Sequence, residues 1–210
     1  MAVITLPTGL AIAKRGVRWG QRRFDVIGGN DATGNIQDRL GAPPRWSLSL
    51  RAPDAITAAE AQVWRAMLLQ LRGRVNYLLA WNPAQVAPRG TMRGTMTLNA
   101  SASAGATSVV ITAGAGEAGK TILSGSPITI GSGLGTSQLV HTVSDAAANG
   151  SGVITVTFEP PLRAGFSTST AVTWDKASAY FKTVNEATAW DHYDGALHQD
   201  FALDLLETWN

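Results

Sequence analysis

The chain has 210 residues, of which 45% are apolar and 15% charged, and it contains no cysteine. This length suffices for one ordinary domain, or two small ones, with a real hydrophobic core. The lack of cysteine excludes disulfides, thiolate nucleophiles and cysteine-ligated zinc or iron–sulfur sites. No apolar run approaches the ~18 residues that span a bilayer, and Met1–Leu10 lacks the pattern of a signal peptide. We therefore expect neither membrane insertion nor export.

The net charge of +2 hides a strong asymmetry along the chain. Residues 1–100 carry 13 Lys and Arg against 5 Asp and Glu, whereas residues 101–210 carry 4 against 10. The arginines are spread over several predicted elements, which argues against a single basic run that binds nucleic acid. Opposite charges on opposite faces steer subunits that meet head to tail. We interpret the asymmetry as the polarity of an assembly subunit.

The first hundred residues have the pattern of strands, one helix and a further strand. Val17–Ile27 is rich in β-formers and arginine and ends at the turn-like Gly28–Asp31. Arg45–Arg51 alternates apolar and polar residues, which predicts a half-buried strand, and Val75–Trp81 is predicted as another. We expect Asn30–Pro44 to be a mobile loop that neighbouring subunits order.

Thr57 and Glu60 form the pattern of a capping box, which predicts the start of a helix. Apolar residues then recur at helical spacing, and the predicted core positions are Ala61, Trp64, Met67, Leu68 and Leu71. Arg72 is expected in the last turn, and Gly73 is expected to end the helix.

From residue 95 to residue 174 charge nearly disappears, and short β-branched runs alternate with turns of small residues. Six runs are predicted as strands: Met96–Asn99, Ser108–Thr112, Pro127–Ile130, Gln138–Val143, Gly152–Phe158 and Ala171–Trp174. Their spacing is typical of an all-β sandwich or small barrel, and no helix fits between them. We expect Asn149–Gly150 to lie in the middle of a hairpin.

Residues 177–210 are acidic and aromatic, and the alternation of Phe201, Leu203 and Leu205 predicts a terminal strand. The economical arrangement returns this strand to the N-terminal sheet. We therefore predict a split domain of residues 1–94 plus 176–210 that carries an inserted all-β domain at 95–175. The predicted fold class is mainly β with one α-helix, in which the split domain is a β-sandwich or resembles a β-barrel.

One string, with Gly114, Gly119, Lys120 and Thr121 at its fixed positions, matches the phosphate-binding P-loop pattern. A P-loop binds phosphate because it opens directly onto a helix whose free N–H groups face the anion. The following residues, Ile-Leu-Ser-Gly-Ser-Pro, cannot form that helix. We interpret the string as a coincidental turn between strands and predict no cofactor.

The candidate bases and metal ligands are His141, His192 and His198. His141 lies in a predicted strand with no second ligand near it in sequence, so we assign it to packing or to the surface. Carboxylates flank His192 and could tune a base or bind a metal. The acids of the tail, Asp191, Asp194, Asp200, Asp204 and Glu207, could hide a glycosidase pair, whose separation sequence does not give. No metal-ligand spacing accompanies them, so we favour an acidic docking face and predict no catalytic or metal site.

Six residues are candidates for a subunit or partner interface: Arg15, Arg18, Arg22, Arg23, Trp190 and Trp209. Buried aromatic and arginine side chains dominate binding hot spots. The arginine group could face either a lumen through which DNA passes or a neighbouring subunit. The tryptophans could alternatively form a platform on which a sugar stacks.

Three stretches, Trp46–Leu50, Ala58–Pro83 and Pro88–Gly94, resemble tail proteins of long, flexible-tailed bacteriophages. Pro127–Gly131 and Phe158–Arg163 are similar to parts of the β domain that this family inserts after its helix and second strand. The resemblance covers most of the chain from about Arg45. Within the group it favours the distal tail protein, a minor tail protein of the virion.

The resemblance implies a structural protein, not an enzyme, that is made in the bacterial host cytoplasm and built into the virion tail. Its copies would form a ring, as a hexamer, that joins the tail tube protein to the tail tip or baseplate hub. DNA would only pass through the lumen, and the β domain would project outward. The alternatives are a carbohydrate-binding adhesion module of the tail tip that recognises a host glycan, and a subunit of the tail tube itself.

Overall fold

A computed structural model describes residues 1–27, 38–185, 191–192, 198–199 and 201–209 of the chain. This part is mainly β with one α-helix, which confirms the coarse fold class. Helix α1 spans Ala58–Leu71. The strands are β1 Val3–Thr5, β2 Val17–Ile27, β3 Asp38–Arg51, β4 Tyr77–Trp81, β5 Met96–Leu98, β6 Ser108–Thr112, β7 Thr121–Ile122, β8 Pro127–Gly131, β9 Ser137–Thr142, β10 Ala146–Ala147, β11 Val153–Glu159, β12 Ala171–Thr173, β13 Ser178–Thr183, β14 Asp191–His192, β15 His198–Gln199 and β16 Ala202–Glu207.

Six strands form one mixed sheet in the order β1-β4-β13-β16-β3-β2. The last strand, β16, pairs antiparallel with β3 and places Leu205 opposite Leu48, while β13 pairs with both β16 and β4. The C-terminal strands therefore complete a sheet that the first hundred residues begin. The boundaries of the split domain, residues 1–94 plus 176–210 around 95–175, stay a prediction.

Helix α1 shares a hydrophobic core with the inner face of this sheet. The capping box is present, because Glu60 N–H donates to Thr57 Oγ1 over 3.3 Å and Thr57 N–H donates to Glu60 Oε2 over 2.9 Å. The five predicted core positions of the helix are its buried residues. The predicted end of the helix is one residue too late. The helix stops at Leu71, and Arg72, which was expected in the last turn, is the left-handed C-cap with φ of 49°. The N–H of Arg72 donates to Leu69 O over 3.2 Å.

The six predicted runs between residues 95 and 174 form the six strands of a closed barrel in the order β11-β6-β5-β12-β8-β9. Of the two alternatives for this block, sandwich and barrel, the structure has the barrel. Its interior is filled by buried aliphatic and aromatic side chains such as Ile111, Ile130, Val156 and Phe158. A closed barrel leaves no open strand edge. Charged side chains normally keep an open edge from pairing with another chain, and this segment has few of them.

Two local expectations differ from the structure. The expected hairpin around Asn149–Gly150 is not among them: β9 and β11 pair antiparallel through Thr142 and Phe158, and Gly152 N–H donates to Asn149 O over 3.0 Å. The short strand β10 lies within this long connection. A single 3-10 turn, Ala115–Glu117, lies in the block expected to be without helix. Strand β3 begins at Asp38, so residues 38–44 of the expected mobile loop belong to a strand, and four of them, Asp38, Arg39, Leu40 and Ala42, pair with β2. The expected turn at Gly28–Asp31 lies outside the described residues.

Candidate functional site

An open groove of about 680 Å³ lies on the outer face of the six-stranded sheet, across β2, β3 and β16. Its cationic lining consists of four arginines, Arg15, Arg18, Arg22 and Arg51, which are all exposed. Asp204 is the one carboxylate among the lining residues, and no lysine is among them. The groove is therefore a strongly positive feature of the sheet.

Strand pairing explains why these arginines meet. Arg18 and Arg22 are four residues apart on β2, so their side chains leave the same face of the sheet about 13 Å apart. In β3, Arg51 N–H donates to Gly16 O over 2.8 Å, which places Arg51 beside the start of β2, next to Arg15. The groove thus brings together three predicted interface residues, Arg15, Arg18 and Arg22, with Arg51, which the sequence alone did not single out.

The groove floor combines the serines Ser47 and Ser49 with the aliphatic residues Leu48, Leu205 and Leu206. Gly20 and Ser47 face each other across β2 and β3, and a Cβ atom on Gly20 would lie 3.1 Å from Ser47 Oγ. Ser49 donates its hydroxyl hydrogen to Asp204 Oδ1. The Ser47 hydroxyl therefore covers Gly20, and the one carboxylate of the groove already accepts a hydrogen bond from Ser49.

The other predicted interface residues lie elsewhere. Arg23 does not line the groove and pairs with Asp25, with 3.3 Å between Nε and Oδ2 and both side chains exposed. Trp209 is half-buried between two guanidinium groups, 4.3 Å from that of Arg45 and 3.9 Å from that of Arg163. Trp190 lies outside the described residues. The role of these residues in a subunit interface stays a prediction.

A buried ion pair joins the barrel to the sheet. Arg163 Nη1 lies 2.9 Å from Glu207 Oε1, and the main-chain N–H of Trp46 donates to Glu207 Oε2 over 3.0 Å. Arg163 also donates from Nη2 to Ser137 O, and the Trp46 indole donates to Leu139 O. Burial raises the pKa of Glu207, against the opposing charge of Arg163. Sequence reasoning named Glu207 only as one of several acids, and nothing in the local pattern pointed to Arg163 as its partner.

The string that matches a P-loop has a different architecture in the structure. Lys120 Nζ pairs with Glu117 Oε1 at 2.9 Å, and its N–H donates to Glu117 O. Gly119 N–H donates to Ala148 O. Thr121 begins the short strand β7 rather than a helix. The helix terminus that would bind phosphate is therefore not formed here.

His141 packs within the protein. Its ring lies 4.5 Å from that of Trp46, and burial lowers its pKa to about 4. The imidazole is therefore neutral near pH 7. His192 and His198 are paired in the backbone of β14 and β15, and their side chains lie outside the described residues, as do Asp194 and Asp200.

In the part of the chain that the structure describes, no three histidine, aspartate or glutamate side chains are grouped so that they could hold a metal ion. Within the same ranges, no helix has both the length and the apolar character needed to cross a bilayer.

Comparison with known proteins finds no family model that matches the chain. A search of curated proteins finds no similar sequence.

Proposed function

We propose that this chain is a structural subunit of a bacteriophage tail, of the distal tail type, whose copies assemble into a ring between the tail tube and the tip or hub. The observation that carries the proposal is a two-stranded ribbon that extends beyond the sheet. The resemblance of Trp46–Leu50 and Ala58–Pro83 to tail proteins supports the same function.

The ribbon consists of residues 22–27 of β2 and residues 38–45 of β3. These residues pair with each other as far as Ile27 and Asp38. The third strand, β16, accompanies β3 only to the pair of Leu206 with Ser47. Beyond that point no described strand flanks the ribbon. Because a two-stranded ribbon is marginally stable in water by itself, a contact with another chain would stabilise it.

The edge of the sheet supports the same proposal. Strand β2 is the outermost strand, and it runs in regular register from Val17 to Arg22 before the irregularity in the ribbon. A long regular edge is a template for pairing with another chain. Contact between this edge and a different surface of the next copy is heterologous, and such contacts close into rings when the rotation allows it.

The alternative of a carbohydrate-binding adhesion module has less support from the barrel. A sugar-stacking platform needs an exposed aromatic ring. Residues 95–175 contain three aromatic side chains: Phe158 and Trp174 are buried in the barrel core, and Phe166 packs against it. A tail tube subunit could use the same edge strand, so the position of the chain in an intact particle distinguishes it from a connector ring.

The edge contact can be tested with Gln21→Pro. Arg51 N–H donates to Gly16 O, and hydrogen-bonded pairs alternate along an antiparallel ladder, so the N–H of Gln21 points away from β3 toward the open edge. Proline removes this N–H without removing a bond to β3. The matched control is Gln21→Val, which keeps the N–H and has a high β propensity.

The expected result is that the full-length chain and Gln21→Val form rings in electron micrographs and a single large species in sedimentation, whereas Gln21→Pro stays monomeric with an unchanged circular dichroism spectrum. A chain that remains monomeric at all concentrations, or Gln21→Pro rings identical to those of the parent, would contradict the edge contact.

A further inference from the structure

We infer that the groove across β2, β3 and β16 holds the phosphate backbone of a nucleic acid without reading its base sequence. The inference stands on the groove itself and does not depend on ring assembly. In the sequence, the spread of arginines over several elements argued against a nucleic-acid footprint. In the fold, Arg15, Arg18, Arg22 and Arg51 line a single groove.

The positive charge of the groove is not neutralised within the described residues. None of these four arginines forms an ion pair with a carboxylate there, in contrast to Arg23 on the same strand, which pairs with Asp25. Asp204 accepts the Ser49 hydroxyl. Four exposed cations along one groove give it a positive potential, so an external anion that bridges them is stabilised.

The chemistry of the lining favours phosphate over a protein partner. All cations of the groove are arginines, whose planar guanidinium binds phosphate in a bidentate manner. A protein–protein interface core is enriched in aromatic anchors, and no aromatic residue lines the groove. Ser47 and Ser49 supply small polar side chains to the groove, beside the aliphatic residues Leu48, Val184, Leu205 and Leu206. Interfaces with nucleic acid are wet and strongly positive.

The shape favours a linear polyanion over a single phosphate group. Arg18 and Arg22 stand about 13 Å apart along β2, and Arg15 and Arg51 extend the line of charge past the start of the strand. The groove is open, and its arginines stand on a sheet face, so they reach the backbone of a duplex and not its base edges. Contacts to phosphate position a protein on a duplex but carry no sequence information.

Counterion release sets the expected salt dependence of the affinity for DNA. With four phosphate contacts, the slope of log K against log salt is about −3.6, so affinity falls roughly hundredfold between about 50 and 200 mM salt. Affinity for duplexes of different sequence and equal length is expected to agree within about twofold, because only the backbone is contacted.

The test compares two double variants that lose the same charge. Arg18→Gln/Arg22→Gln removes two groove cations, and Arg23→Gln/Arg74→Gln removes two exposed cations that do not line the groove. Fluorescence anisotropy with a short labelled DNA duplex measures the Kd over a salt series. The groove variant is expected to bind roughly fifty-fold more weakly at about 0.1 M salt, with the slope reduced by about 1.8, whereas the control keeps the parental slope.

Three results would overturn the inference. The first is that the parent chain fails to bind duplex at low salt. The second is that both double variants lose affinity and slope equally, so that only net charge matters. The third is that the groove variant binds DNA normally but loses self-association in sedimentation, which would make the groove a contact between copies. Sedimentation without DNA reports assembly separately, so failure of the groove and failure of the proposed ring can be told apart.

Discussion

Replacement of Arg163 by methionine tests how the barrel is held to the sheet. Arg163 contributes one N–H···O contact to Glu207 at 2.9 Å, another to Ser137 O at 3.0 Å, and a guanidinium face to Trp209 at 3.9 Å. Methionine keeps an apolar side chain of similar length against the indole. The perturbation therefore removes the charge and the hydrogen bonds and leaves the packing largely in place.

The expected cost follows from the burial of the pair. The side chain of Glu207 is 3% exposed and that of Arg163 is 13% exposed. Removing one partner of a buried ion pair leaves an uncompensated charge, which costs about 3–5 kcal/mol. In a chain of this size each kcal/mol lowers Tm by about 2–4 °C, so Arg163→Met is expected to lower Tm by about 6–20 °C at neutral pH.

The loss of stability in Arg163→Met depends on pH in a defined direction. Burial raises the pKa of Glu207 in the folded chain, so the folded state binds this proton more tightly than the unfolded state does. The stability contributed by Glu207 is then greatest below its unfolded pKa and falls as pH rises through the folded pKa. Without the charge of Arg163 the pKa rises further. The difference between parent and variant is therefore expected to be larger at neutral than at acidic pH.

Urea unfolding followed by tryptophan fluorescence, at about pH 4 and about pH 7, measures this difference. The matched control is Arg23→Met, whose partner is Asp25 and whose side chain is 61% exposed. An exposed pair contributes about 0–1 kcal/mol, so the control is expected to change little at either pH. A loss below about 1 kcal/mol in Arg163→Met, or an equal loss at both pH values, would refute the reasoning that the pair is shielded from water.

Four further substitutions test local packing and titration in the sheet and the barrel. Trp64→Ala empties a site with no exposed surface and removes the indole bond to Ala11 O, and is expected to cost about 3–5 kcal/mol in urea unfolding. His141→Phe should flatten the pH dependence of Tm, because the lowered pKa of His141 makes the parent lose stability as pH falls from 6.5 toward about 4; a parent-like slope in the variant would assign that loss to other groups. Gly152→Ala would place a Cβ atom 1.8 Å from Gly114 O at φ of +74°, and should lower the free energy of unfolding by about 2–4 kcal/mol in urea unfolding. The control Gly105→Ala meets open space at φ of +84°, and should lower it by about 1 kcal/mol.

Elements with a strong local signal could be predicted from the sequence. The capping box at Thr57 and Glu60 and the 3.6-residue spacing of the helix core require only neighbouring residues, and both are present. The six β-branched runs of the barrel were found because each is bounded by turn residues. The antiparallel pairing of β9 with β11 around Asn149–Gly150 agrees with the expected hairpin, whereas the longer pairing of β11 with β6 joins segments far apart in the sequence.

The candidate site could be predicted only in part. Arg15, Arg18 and Arg22 stood out because they are close in sequence and share a β-rich segment. Arg51 lies far along the chain and reaches the groove through the register of β2 with β3. Arg23, an equally plausible arginine in sequence, lies at the register irregularity of β2, does not line the groove and pairs with Asp25 instead.

By itself, the sequence determined the helix, the strands of the barrel, the burial pattern of the last strand and the asymmetry of charge, because periodicity, caps and composition act over a few residues. The tertiary structure decided which strands are neighbours, and with them the groove and the pairing of Arg163 with Glu207. Those features join residues far apart in the chain, and their geometry depends on the register in which the whole sheet buries its apolar face.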